Sequence, residues 1–243
     1  MEWHDDGIVL AARQHGESSA ILTLLTREHG RHKGLVRGGM GLRKRGLFQP
    51  GNRVRATWRG RLSEHLGSYT CEMTTAVAAP FMDDRLRLAA LSATCAMAEA
   101  ALPERERHEP VYEGVGILLD ILDQDIWPTI YVKWEMGLLQ ELGFGLDLTC
   151  CAATGVTENL TYVSPKSARA VSTYAAEPYK HALLRLPGFL IDKRQTASWP
   201  DIADGLRLTG FFLDRQVFAQ MQSRQAPPAR GRLAALVWNK AAS

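Results

Sequence analysis

Within the first third of the chain, which breaks into short apolar runs, one run shows apolar positions at every second residue. In "RVRATWRGR", Val54, Ala56 and Trp58 alternate with Arg53, Arg55, Thr57 and Arg59. That is the period of a strand with one buried and one exposed face. "GIVLAAR", "AILTLLT", "HKGLVRG" and "GSYTCEMTTAV" are further short runs with β-branched or aromatic content, punctuated by Gly16, Gly30, Gly34, Gly41, Gly51 and Gly67. Five such runs before residue 80 predict a small closed barrel. The five-stranded oligonucleotide-binding (OB) fold is the commonest choice, and an SH3-like barrel fits the same pattern.

From Pro80 the period lengthens to that of a helix. Leu86, Ala90, Ala93, Met97 and Ala101 form one stripe, and Val111, Val115, Leu118 and Leu122 a second. "TIYVKWEMGLLQELGF" continues the pattern until Gly143, and Ile202, Leu206, Gly210, Leu213, Val217 and Met221 align further on. The Asp83–Asp84 pair suits a helix N-terminus. Residues 147–172 carry turn chemistry and too little helical period. "APPARGR" reads as a turn or loose tail before the apolar "LAALVW". The predicted fold is α+β: an OB-fold domain over 1–80, then a helical domain over 81–243 with an irregular insertion at about 147–172.

Composition narrows the class. The chain has 243 residues, 46% of them apolar, enough for a substantial core. The apolar runs are too short for a transmembrane helix. The acidic start "MEWHDDGIVL" does not suggest a secretory signal. Four cysteines, two of them adjacent, make no disulfide framework, so reduced thiols and a cytoplasmic location are expected.

Charge changes the picture most. The net charge is only +3, yet eleven cations between Arg27 and Arg61 face a single carboxylate, Glu28. Such asymmetry predicts a polyanion partner, most simply nucleic acid. The expected contacts are Arg31, Lys33, Arg37, Arg43, Lys44, Arg45, Arg55, Arg59 and Arg61. Within "RGGMGLRKRG" the glycines and consecutive cations predict a mobile loop that clamps phosphates. Trp58 and Phe48 lie close by in sequence. Exposed, they would offer bases a stacking platform, but Trp58 shares a strand face with Val54, which favours the barrel core.

Catalytic motifs are absent from the sequence. "GGMGLRKRG" lacks the Lys-Ser/Thr ending of a nucleotide-binding P-loop, and there is neither a nucleophile elbow nor a His-Glu-x-x-His pair. Asp83–Asp84 and Asp123/Asp125 read as caps or solvated charges. His29 and His32 bracket a predicted hairpin turn and supply at most half a zinc site. Cys150–Cys151 resembles one knuckle of a zinc ribbon, but the region where the second would fall holds no cysteine or histidine. No metal, no cofactor, no small-molecule substrate and no enzymatic activity are expected.

The order of segments is informative. "GIVLAARQHGESSAILTLLTREHGRHKGLVRGG", "LFQPGNRVRATWRGRL", "LGFGLDLTCCAATG" and "YVSPKSARAVS" together resemble the bacterial RecO family of recombination mediators, from Gly7 to about Met221. The resemblance implies an N-terminal OB barrel, a helical domain and, in some members, a zinc ribbon whose ligands this chain lacks. It further implies a nucleoid-associated protein that binds single- and double-stranded DNA, anneals complementary strands and, with RecR, helps load RecA onto DNA coated by single-strand-binding protein (SSB). The C-terminal tail of SSB, acidic and apolar-ended, would dock on the helical domain. Lys133, Trp134, Arg185 and Arg207 are the expected contacts, because such a tail needs an apolar pocket rimmed by cations. From the residues alone, a basic OB-fold RNA-binding factor of translation or ribosome assembly remains the alternative.

Overall fold

In the computed structural model, which describes residues 1–39, 41, 46–192, 194–221 and 225–243, the alternation in the arginine-rich run becomes strand β4. Five strands close a barrel: β1 (Glu2–His15), β2 (Ser19–Thr26), β3 (Gly30–Val36), β4 (Arg53–Arg59) and β5 (Ser68–Thr75). Their order around the barrel is β1-β2-β3-β5-β4, closed by β1 against β4, which settles the choice for the OB fold. β1 is long enough to pair with β4 through its first half and with β2 through its second, slipping register at a bulge between Val9 and Ala11. The inward positions supply the core: Val9, Leu22, Leu24, Val36, Val54, Ala56, Trp58 and Tyr69, joined by Phe48. Each large apolar side chain so buried contributes about 1.5–3 kcal/mol.

The chain forms two compact units, Met1–Leu122 with Pro227–Arg230, and Asp123–Ala226 with Gly231–Ser243. Pro80 marks the change from strand to helix, while the unit built on the barrel runs on through α1 (Arg85–Ala101) and α2 (Glu109–Asp120). Asp84 caps α1 by accepting from the Leu86 and Arg87 amides at 3.0 and 2.9 Å. α1 lies against the barrel, where Glu99 meets Arg13 at 2.8 Å. The α1–α2 connection then crosses the turn before β3. Gly30 there has φ +62°, and a Cβ on it would run into the Glu106 carbonyl, so no other residue fits.

The second unit holds α3 (Trp127–Glu141) and α5 (Trp199–Phe212), with a small sheet between them in sequence. The expected irregular insertion is more ordered than its sequence suggested. β6 (Leu160–Val163) pairs on one side with β7 (Ala170–Ser172) and on the other with β8 (Leu184–Arg185), and a short helix, α4 (Thr173–Ala176), follows β7. Strands of four, three and two residues are too short to display a period. The expected loose tail is also corrected: Pro228–Ala241 is a helix, α6. Pro228 opens it, at a position where a missing amide hydrogen costs nothing. Among the described residues, no helix is long and apolar enough to cross a membrane.

Candidate nucleic-acid interface

β4 sorts its residues as expected: Val54, Ala56 and Trp58 point inward, Arg55 and Arg59 outward. Trp58 is 1% exposed and its indole N–H donates to the Leu66 carbonyl at 3.0 Å. Gly67, at φ +59°, lies so close beneath that ring that a Cβ would collide with it. Phe48 is buried as well, so neither aromatic offers a face to a base. His32, on the β3 side of the predicted hairpin turn, is buried too. It sits among Trp3, Trp58 and Tyr69, with the Tyr69 hydroxyl 2.9 Å from its Nδ1. Burial, with the Arg105 cation nearby, pushes its pKa down to about 4. His29 stacks on Trp3 with ring centroids 4.0 Å apart, and its Nδ1 lies 3.0 Å from Asp5.

The cations are less isolated than the sequence implied. Arg55 lies 3.5 Å from Asp6, Arg59 2.9 Å from Glu2, and Lys33 3.3 Å from Glu104. Arg27 meets Glu113 at 2.7 Å and Arg53 meets Asp120 at 2.8 Å. Arg31 donates to the Leu102 carbonyl at 2.8 Å and serves the fold. The local excess counted along the chain is therefore reduced by carboxylates from β1, α2 and the α1–α2 connection. The hydrogen bond from Arg59 holds the Glu2 carboxyl below its ordinary pKa, so that pair stays ionised at neutral pH.

These pairs differ in what they leave available. Arg55 and Arg59 are 68% and 67% exposed, and an ion pair so solvated is worth about 0–1 kcal/mol. A phosphate backbone offering several charges can displace such carboxylates. Arg53 is 29% exposed and also donates to the Gly116 carbonyl at 2.9 Å, so it belongs to the fold. Arg37 and Arg61 are exposed and lie at one end of the barrel. Leu35 pairs with Ser68 and its amide donates to the Gly67 carbonyl at 3.1 Å, while Ser68 also pairs with Arg59. Arg43, Lys44 and Arg45 lie outside the described residues. Sequence reasoning missed Arg105, which reaches the same end of the barrel from the α1–α2 connection and donates to the His65 carbonyl at 3.1 Å. No local pattern marks it, because its setting depends on long-range packing.

In the second unit, the residues expected to meet a protein tail divide. Trp134 is 7% exposed and belongs to the core, which removes it from any docking surface. Arg185 and Arg207 converge on Asp204, at 3.8 and 3.1 Å, and the Arg185 guanidinium also lies over the Tyr162 ring. The Lys133 ammonium stands 6.0 Å over the Phe189 ring, and Phe189 packs beside Gly205, next to Asp204. Three of the four thus gather around the first half of α5.

In the insertion, the Cys151 sulfur accepts from the Ser172 amide at 3.3 Å, and Arg169 reaches Cys150 at 3.5 Å. Burial works to raise the Cys151 pKa, but hydrogen bonds from Ser172, Thr154 and Ala153 outweigh it and bring the thiol down to about 6. Among the described residues, no three His, Cys, Asp or Glu side chains gather closely enough to hold a metal ion.

A closed β1-β2-β3-β5-β4 barrel with exposed arginines, followed by helices, defines an OB-fold protein of the α+β class. Residues 1–76 match the family pattern described as Recombination protein O N terminal, and residues 82–225 that described as Recombination protein O C terminal. Proteins called DNA repair protein RecO are similar over nearly the whole chain. That of Rhodospirillum centenum is 53% identical over 96% of this chain and 93% of its own length. That of Rhodospirillum rubrum is 49% identical over 96% and 94%, and one from Cereibacter sphaeroides 46% identical over 98% and 99%. The chain belongs to the RecO family.

Proposed function

We propose that the protein is a mediator of DNA repair and homologous recombination, without catalytic turnover. It binds single- and double-stranded DNA through the barrel, anneals complementary strands and, with RecR, helps RecA onto SSB-coated DNA. The observation that carries the reading is the set of Arg55 and Arg59 on β4 and Arg61 in the β4–β5 turn, solvent-exposed, the first two held by exchangeable ion pairs. Annealing brings two polyanions together, so it needs a broad positive surface that lowers their repulsion without fixing their register. Arginine suits phosphate through its planar donor fork.

The acidic, apolar-ended SSB tail would meet the second unit around α5, where Lys133, Arg185 and Arg207 lie beside Phe189 and Tyr162. Asp204, already flanked by both arginines, stands in for the tail's carboxylates.

The test is one gel. Purified protein is added to complementary strands already covered by SSB, with matched RNA strands as competitor. Annealing that DNA competes for better than RNA supports the reading. Failure to anneal, or a preference for RNA, overturns it.

A further inference from the structure

The barrel has a seam. β3 and β5 run parallel, and their backbones pair at Leu35 and Ser68. Away from that point the α1–α2 connection takes the vacant place beside β3. Arg31 forms a parallel bridge with Glu104, the Arg105 amide donates to the Arg31 carbonyl at 2.8 Å, and Lys33 holds Glu104 at 3.3 Å. Arg105 is thereby fixed at φ +65°, a left-handed conformation that favours glycine. Stability alone would be better served there by a residue without a side chain.

The Arg105 side chain is exposed and crosses the seam to the His65 carbonyl, in the turn that joins β4 to β5. That turn also presents Arg61, and its Gly67 carbonyl receives the Leu35 amide, two residues before Arg37. Cations from two distant parts of the chain, Arg61 and Arg105, therefore share one turn, and Arg37 lies just past the strand end bonded to it. The acids beside Arg105 in sequence point elsewhere, Glu104 to Lys33 and Glu106 to His108 at 3.7 Å. Glu64, in the same turn, feels the Arg105 charge without forming an ion pair with it, and with one hydrogen bond to the His65 carbonyl the guanidinium keeps most of its donors for a ligand.

We propose that Arg105 is a phosphate-binding residue, and that the α1–α2 connection and the β4–β5 turn together form a clamp on the backbone of a single strand. The clamp extends the nucleic-acid surface beyond the barrel into the helical part of the sequence. This inference rests on the DNA-binding reading above.

Two variants test it in the full chain. Arg105→Gly removes the cation and relieves the left-handed backbone, so the protein should fold at least as well as before. Arg105→Lys keeps the charge. Binding of a fluorescent oligothymidine is followed by anisotropy across a salt series. Arg105→Gly should bind severalfold more weakly at low salt, with a slope of log K against log salt shallower by about 0.7, one phosphate contact. Arg105→Lys should keep the wild-type slope. An Arg105→Gly protein that matches the wild type overturns the proposal. So does one that loses affinity at unchanged slope, because the arginine would then only shape the turn. If the wild type itself binds without salt dependence, the DNA-binding reading fails first and takes this one with it.

Discussion

Arg53 Nη2 stands 2.8 Å from Asp120 Oδ1 and 2.9 Å from the Gly116 carbonyl oxygen, so an arginine of the barrel caps the last turn of α2. A cation near a helix C-terminus meets the negative end of the helix dipole, and here it gives the Gly116 carbonyl a second donor beside the helix's own. Asp120 is 62% exposed, and its share is therefore small. Arg53→Ala should cost about 1–2 kcal/mol, mostly through the carbonyl, and lower the melting temperature by about 3–6 °C. Its salt slope on single strands should stay at the wild-type value, since this cation is committed to the helix. Unchanged melting with weaker DNA binding would move Arg53 from the fold to the interface.

His32 supplies an acid-sensitive element. Its pKa is about 4 in the folded protein against 6.5 unperturbed, chiefly because the ring is buried. The unfolded chain therefore binds the extra proton first as pH falls. Stability is fully present above pH 6.5 and is lost as pH drops through 6.5 towards 4. The loss assignable to this ring is on the order of 3 kcal/mol. Urea unfolding of wild type and His32→Gln at several pH values isolates it, because the carboxylates common to both cancel. Parallel stability curves for the two proteins would refute the assignment.

Cys151 acts on the other side of neutrality. Its thiol is lowered to about 6 from the unperturbed 9.0, so the folded state favours thiolate. The resulting stability is present above pH 9 and is lost as pH falls through 6. Wild type should gain stability over Cys151→Ala as pH rises across that window, read by chemical denaturation of the two proteins. Elemental analysis should find less than one zinc per chain. A stoichiometric zinc, or a stability difference independent of pH, would require another role for the knuckle.

Much of the architecture was legible because burial imposes a period. β3 and β4 alternate cleanly between buried and open positions, β1 and β2 carry continuous apolar runs, and the stripe from Val111 to Leu122 is buried at each position. The start of β1 escaped notice because Asp5 points inward, satisfied by His29 and the Glu28 amide at 2.8 Å, a partnership no local pattern reveals. The interface was legible only by half. The arginines were visible in sequence, but the acids that meet them come from Glu2, Asp6, Glu104, Glu113 and Asp120, and only folding brings them together. Trp134 was misplaced for a related reason: a tryptophan beside a lysine in sequence need not share its exposure, since adjacent helix residues point in different directions.

The exchangeable pairs on β4 yield the sharpest test of the interface. Arg59–Glu2 and Arg55–Asp6 are both solvent-exposed, and the two acids sit on β1 directly across from their arginines. Bound DNA must displace these carboxylates or tolerate them. Glu2→Gln with Asp6→Asn removes two negative charges from the face and leaves Glu72, across from Arg55 on β5, as the remaining acid there. Loss of two exposed pairs should change stability by no more than about 1 kcal/mol each. Affinity for single strands should rise, and the slope of log K against log salt should steepen by up to about 0.7 for each phosphate newly engaged. Annealing should accelerate with it, because a more positive face lowers the repulsion between two strands. If the double variant melts normally but binds and anneals as the wild type does, the β4 face is not where the strands lie. The contact would then be confined to the seam end of the barrel, where Arg61 and Arg105 meet the β4–β5 turn.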